Sequence, residues 1–282
     1  MEKTAAVTAN FGCNTYSYMR SHSAEACLTS LADFGFQQFE LMVHPGHLWP
    51  ATFTAAQRQA IDRVVAARGL KLVALNMPNI DINIAAAAEG MRAYSLDLLS
   101  DTVRLAGDLG ADGVVIGPGK ANPLFPAGTE ELIGHFHAAL DVLCPVAEAS
   151  GTSLWVENMP FAFLPGIDAV MAALTTFGND RVRIVYDAAN AHYIGEDFVA
   201  GLQQCRDRLA LVHLSDTERR VYRHDPVGQG TVPFADVLHA LGTIALRWCP
   251  MLEIISRDPD REIVASAAKL AAMAATPAEG TH

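Results

Sequence analysis

Residues 65–76 read VAARGLKLVALN. An Ala-rich helical run ends at Gly69, and a short apolar run, Leu70–Asn76, follows at once. Glycine just past a helix end takes the left-handed cap that other residues resist. An apolar run without polar alternation is how a strand covered on both faces reads. The same phrase recurs along the chain: LADFGFQQFELM at 31–42, LAGDLGADGVVIGP at 105–118 and VAEASGTSLWVEN at 146–158. It continues with LTTFGNDRVRIVYD at 174–187, QQCRDRLALVHLSD at 203–216 and TIALRWCPMLEII at 243–255.

With a first run at Phe11–Asn14, this predicts eight strands, near 11–14, 38–42, 70–76, 113–116, 154–158, 182–187, 209–215 and 251–255. Helical patterns separate them, at 24–33, 55–67, 91–109, 130–149, 168–175, 198–205, 234–241 and 261–275. Strands that alternate with helices pair in parallel through right-handed crossovers. Eight such units in about 250 residues make an α/β fold of the (β/α)8 TIM barrel type. An open doubly wound sheet would carry a Gly-rich phosphate loop after its first strand. Here that strand runs into CNTYSYMRS, residues 13–21, with no such loop. No linker divides the chain, so one domain is expected over 1–270. The last dozen residues, AAMAATPAEGTH at 271–282, read as a frayed tail.

Composition fits this picture. The 282 residues are 51% hydrophobic and 18% charged, too apolar for a disordered chain. The net charge of −11 and the lack of a Lys/Arg-rich run argue against nucleic acid as a partner. The five cysteines include no C-x-x-C pair, as expected of reduced thiols. No run approaches the roughly 18 apolar residues of a membrane span, and MEKTAAVTANFG lacks the apolar core of a signal peptide. A soluble, cytoplasmic protein is expected, with no membrane partner and with its oligomeric state open.

In such a barrel the reactive side chains sit where strands end. The fifth strand ends LWVENMP and offers Glu157; the sixth ends RIVYDAANAH and offers Asp187, Asn190 and His192. The seventh ends LALVHLSD and offers His213 and Asp216; the eighth reads PMLEIIS and offers Glu253. Glu157 precedes Asp187 by 30 residues, and Asp187 precedes His213 by 26, about one strand–helix unit each; Glu253 follows 40 residues later. A lone carboxylate in a dry barrel costs several kcal/mol unless paired or bound to a cation. A single Glu or Asp at a strand end often just caps a helix. Three carboxylates and an imidazole on consecutive strands instead call for one divalent ion, and Mn²⁺, Mg²⁺, Co²⁺ or Zn²⁺ would suit this donor set.

The chain resembles the xylose isomerase-like barrel superfamily, the sugar phosphate isomerase/epimerase group. The resemblance runs from NTYSY in the first strand to LEII in the eighth. Its most specific parts are WVENMP, VYDAANAHYIGED, VHLSD with the Arg that follows, and the P-V-G-Q-G loop. It implies that Glu157, Asp187, His213 and Glu253 bind one divalent metal and that Glu157 and Glu253 move the substrate proton. It also implies that Arg219, six residues after the metal His, contacts substrate oxygens. Ketose 3-epimerases of this group place a substrate-binding His three residues after the metal Asp, where this chain has Asn190, with His192 nearest. The endonuclease IV branch, with three zinc ions, needs a His at that same position and an Asp two residues before the loop His. Asn190 and Tyr222 stand there instead, with His224 matching the loop His.

Other mouth candidates are Trp49 in HPGHLWP, as an apolar platform for a sugar ring, and Asn76, as a donor to a substrate hydroxyl. Glu40 lies within its strand and is expected to form a buried hydrogen bond. Gly117 and Gly119 allow a sharp turn or close approach of a ligand, and Lys120 beside them reads as a solvated lysine. The expected function is a metal-dependent isomerase or epimerase of a sugar or polyol ketone, acting through an enediolate. Two alternatives remain at this point. One is a lyase acting on a keto sugar, keto-glycoside or inosose, with His192 or His224 as the acid. The other is a sugar-binding protein without catalysis.

Overall fold

A computed structural model describes residues 7–275. Eight parallel strands close into a barrel in chain order. They are β1 (Gly12–Asn14), β2 (Gln38–Met42), β3 (Lys71–Asn76), β4 (Gly113–Ile116), β5 (Ser153–Glu157), β6 (Arg183–Asp187), β7 (Leu209–Leu214) and β8 (Met251–Leu252). The ring closes where β1 pairs with β8, Gly12 opposite Met251. Nine helices surround it among the described residues: α1 (Ala24–Asp33), α2 (Ala55–Arg68), α3 (Glu89–Asp108), α4 (Thr129–Ala149) and α5 (Ile167–Phe177), then α6 (Ala188–Ile194), α7 (Phe198–Cys205), α8 (Phe234–Leu241) and α9 (Pro259–Ala275). No helix among them is long and apolar enough to cross a membrane.

The glycines that punctuate the repeats work as helix stops. Gly69 caps α2 at φ +64° and Gly178 caps α5 at φ +78°, and each turns the chain toward the next strand. A Thr54–Gln57 capping box starts α2 at the other end. Alternate strand residues face the barrel interior and the helix layer. Most of the buried apolar residues form one continuous cluster between barrel and helices. A smaller cluster of Val73, Val115, Trp155, Val185, Leu211 and Met251 is drawn from β3–β8.

Gly201 shows how tightly the helix layer is set. A Cβ there would lie 2.1 Å from the Tyr186 hydroxyl oxygen. That ring is fully buried and stacked on Phe198, and its hydroxyl donates to Glu196. Gly201→Ala is therefore expected to destabilise the fold by about 1–3 kcal/mol, although alanine is the better helix former. Denaturant midpoints would measure this, and an unchanged midpoint would refute it.

Three features depart from the sequence reading. First, β6 runs straight into a helix, α6, which no sequence pattern announced. Second, β8 pairs regularly over only two residues. Its continuation bonds instead to the end of β7 and the loop beyond it, with Glu253 N donating to Leu214 O and Ile255 N to His224 O. Third, residues 271–275, which the sequence reading placed both in its last helical pattern and in the tail, are the end of α9, which runs to Ala275. The rest of that stretch, 276–282, lies outside the described residues.

Candidate metal centre

Three of the four strand-end residues fall at strand termini because their strands stop there. Glu157 closes β5, Asp187 closes β6, Glu253 follows β8 directly, and His213 is the penultimate residue of β7. All four are buried, and one ligand atom from each lies within 4.8 Å of every other. Asp187 is fixed from two sides. Asn158 bridges the ends of β5 and β6, accepting from Asp187 N at 2.7 Å and donating to Asp187 O at 3.2 Å. The Asp187 side chain also caps α6, with Oδ1 accepting from Asn190 N. Its other oxygen, Oδ2, is buried with no hydrogen-bond partner. Buried carboxylate oxygens are seldom left so, and a cation is a partner that would suit three facing carboxylates.

The His213 ring is aimed by Glu40. Nε2 lies 2.9 Å from Glu40 Oε2, while Nδ1 faces Glu157 Oε1 and Glu253 Oε2, each at 3.3 Å, and Asp187 Oδ2 at 3.9 Å. Glu40 is itself held by Asn14 Nδ2 at 2.6 Å and Asn76 Nδ2 at 2.7 Å, both donating to Oε1. A carboxylate that takes the Nε2 proton leaves Nδ1 as the lone-pair donor, the arrangement that orients metal-binding histidines. Glu40→Gln is therefore expected to weaken divalent-ion binding about 10–100-fold without removing any of the four donors. Titration with Mn²⁺ followed by calorimetry measures it, and unaltered affinity would exclude an orienting role.

The charge states follow from this crowding. Burial first, then the neighbouring Glu157 and Glu253 charges, push the Asp187 pKa well above the usual carboxylate range. Burial likewise raises Glu253, with His213 opposing. Burial alone would lower His213, but the surrounding Glu40, Glu253 and Glu157 carboxylates outweigh it and hold the ring protonated to higher pH.

Above the centre opens a cavity of about 370 Å³. Of the predicted contacts, Asn76, Asn190 and His224 line it, together with Glu157 and Glu253. Asn76 spends its amide on Glu40. Asn190 Nδ2 donates to Glu157 Oε1 at 3.2 Å and to Asn158 O at 2.8 Å, so it steadies a glutamate as well as facing the cavity. His224 Nδ1 lies 2.9 Å from the Ser215 hydroxyl and 3.3 Å from Glu253 Oε2.

Three predicted contacts do not line this cavity. His192 follows Asn190 by two residues on α6, about 200° around the helix, and bonds Thr231 on the outer side. Arg219 is exposed. The Asp216–Asp225 bridge pins the base of the loop after β7, and Arg219 sits in its span, beside Gly195. Trp49 is half-buried against the main core, because the His44–Leu48 bridge folds the loop after β2 back on itself. His47 in the same loop is structural: it bonds Thr15 and His22 O, and burial lowers its pKa to about 4.

The residues missed by sequence reasoning are Asn14, Tyr16 and Tyr222. Tyr222 had drawn attention only for not being an aspartate. Its hydroxyl donates to Asn190 Oδ1 at 2.8 Å and lies 2.7 Å from His224 Nε2, joining the Glu157 side of the cavity to the Glu253 side.

Residues 28–273 match the family described as Xylose isomerase-like TIM barrel. The chain belongs to that family. L-ribulose-5-phosphate 3-epimerase UlaE of Shigella boydii serotype 18 is 21% identical over 212 residues, covering 74% of this chain and 74% of the relative. The crystal structure of a D-tagatose 3-epimerase-like protein superposes with a TM-score of 0.78 at 20% identity, covering 93% of this chain and 98% of that one. The IolI protein with a bound zinc atom gives a TM-score of 0.78 at 18% identity, covering 94% and 97%. At these identities the solved structures establish the shared fold.

Proposed function

We propose that this family member is a divalent-metal-dependent isomerase or epimerase of a sugar or polyol ketone, with Glu157 and Glu253 moving the proton. The observation that carries the reading is the convergence of Glu157, Asp187, His213 and Glu253, with Asp187 Oδ2 buried and unpartnered. The sugar epimerases among its relatives and the zinc in IolI support it. Glu157, Asp187, Glu253 and His213 Nδ1 would hold the ion, and Mn²⁺, Mg²⁺, Co²⁺ or Zn²⁺ fits three carboxylates and one imidazole. A bound divalent ion supplies the positive charge that polarises a ketone and offsets the negative charge developing as its neighbouring C–H is broken.

The remaining work belongs to side chains. β5 and β8 are separated by two strands on one side of the ring and four on the other, so Glu157 and Glu253 reach the centre from facing walls. One carboxylate can take a proton from one side of a substrate carbon while the other returns a proton from the opposite side, the requirement of epimerisation. Asn190 orients Glu157, and Asn14 and His224 orient Glu253. The buried floor excludes bulk water from the proton.

The test is proton exchange. Ketoses incubated with the Mn²⁺-loaded protein in deuterated water are expected to gain deuterium at the carbon beside the carbonyl, with mass otherwise conserved. A product lighter by water or by an aglycone would instead establish a lyase, with His224, the one histidine among the described residues lining the cavity, as the candidate acid. Neither exchange nor elimination across ketoses, keto-glycosides and inososes would favour the binding-protein reading.

A further inference from the structure

The cavity is two-sided in chemistry. Its floor carries the carboxylates, Asn190, Tyr222 and His224, whereas its outer wall is apolar. Ile80, Ile82 and Ile84 form one side of that wall, from the segment after β3. Met159 and Phe161, from the segment after β5, and Ile255, after β8, form the rest. Three of these remain open to solvent: Ile80 is 69% exposed, Phe161 62% and Ile255 42%. Large apolar side chains gathered round a cavity mouth and left uncovered mark a surface that a ligand covers.

Several polar groups of the outer wall have partners within the protein. Asn83 accepts from Lys120 N and Ala85 N and donates to Lys120 O. Asn79 Nδ2 donates to Met77 O. Lys120, the only lysine or arginine among the described residues lining the cavity, donates to the carbonyls of Asn79 and Ile80 at 2.7 and 2.6 Å. Its neighbour Gly119 sits at φ +106°, and a Cβ there would lie 2.6 Å from Ala85 Cβ. Lys120 thus ties the segments after β3 and β4 together through two of its three ammonium donors, and burial lowers its pKa.

We propose that this site takes an uncharged keto sugar bearing an apolar substituent, aryl or branched alkyl, in preference to a sugar phosphate or a free ketose. The inference rests on the isomerase reading for the sugar end and adds the identity of the other end. The ketone end meets the polar floor, and the substituent lies between Ile80 and Phe161. A phosphate in that position would find a single lysine with two of its three donors already on carbonyls and, below it, carboxylates that a divalent ion offsets only in part. The hydroxyls of a free ketose tail would lose water against isoleucine, methionine and phenylalanine without gaining partners. An apolar substituent buries those side chains and loses nothing.

The experiment uses the Mn²⁺-loaded protein and three probes: the methyl and phenyl glycosides of 3-keto-glucose and a ketopentose 5-phosphate. Binding is read by calorimetry, and proton exchange is followed in parallel in deuterated water. The phenyl glycoside is expected to bind about tenfold or more tightly than the methyl glycoside, and the phosphate more weakly than either. The single variant Ile80→Ser should lower the phenyl-to-methyl ratio with an unchanged melting temperature, since Ile80 is 69% exposed, and Phe161→Ser, which also loses the ring contacts with Tyr193 and Tyr222, should lower it further. A ratio near one in the unaltered protein, or tighter binding of the phosphate, overturns the proposal. Exchange without phenyl preference removes this proposal and leaves the isomerase reading. Phenyl preference without exchange from any probe does the reverse.

Discussion

Asp187→Asn should abolish stoichiometric binding of a divalent ion and lower solvent-proton exchange at least about 10³-fold, while making the metal-free protein more stable. The two halves of this result have one cause. Asp187 is fully buried, faces Glu157 and Glu253, and keeps one oxygen without a partner. A charge in that position is stabilised by His213 and the Asn190 N–H less than burial and the two glutamates destabilise it. Asparagine keeps the Oδ1 that accepts from Asn190 N and removes the charge. A gain on the order of 1 kcal/mol in denaturant stability is expected for the metal-free variant. Elemental analysis and chemical denaturation of the two metal-free proteins decide it. Retained metal, or a metal-free variant less stable than its parent, would contradict the role assigned to Asp187.

The second large effect is metal removal and its pH dependence. Asp187 and Glu253 keep their protons to higher pH when folded than when unfolded. Above about pH 4 the unfolded carboxylates have lost protons that the folded ones retain, so unfolding releases protons and stability falls as pH rises through the raised values. His213 acts in the same direction. Its folded pKa is raised by the carboxylates around it, so its stabilising charge is complete below the unfolded value of about 6.5 and is lost as pH rises through the folded one. The metal-free protein should therefore lose stability steadily from pH 5 to pH 8. A saturating divalent ion should reverse this trend, because its donors must shed their protons to bind. At a thousandfold excess over Kd the ion contributes about 4 kcal/mol, a rise in melting temperature on the order of 10 °C for a chain of this size. Thermal melts with and without chelator across that pH range test the sign, and a metal effect larger at pH 5 than at pH 8 would refute it.

How much of this was legible in the sequence depends on what each residue answers to. Strand ends such as Glu157 and Asp187 break an apolar run, and the barrel topology makes those breaks converge, so the cluster of Glu157, Asp187, His213 and Glu253 can be read from spacing. Glu40 is polar inside its strand for the same reason, yet its partner His213 lies 173 residues away, and no local pattern shows which imidazole nitrogen it orients. The failures cluster in the segments that leave the barrel. His192 was misplaced because α6 starts directly at Asp187 and turns each successive side chain by about 100°. Arg219 and Trp49 lie away from the cavity because short bridges fold their loops, and those bridges are backbone contacts with no side-chain signature. Tyr222 was visible only as a departure from a pattern, and its part in joining Asn190 to His224 needs the loop closed by the Asp216–Asp225 pairing.

The metal reading places Glu157, Asp187, His213 and Glu253 in one coordination sphere. Anomalous scattering from a crystal grown with Mn²⁺ tests it most directly. The account predicts a single strong peak within about 2.0–2.6 Å of donor atoms from all four side chains, with His213 ligating through Nδ1 and its Nε2 still on Glu40. An ion bound elsewhere, or four side chains whose donors do not share one ion at full occupancy, would contradict it.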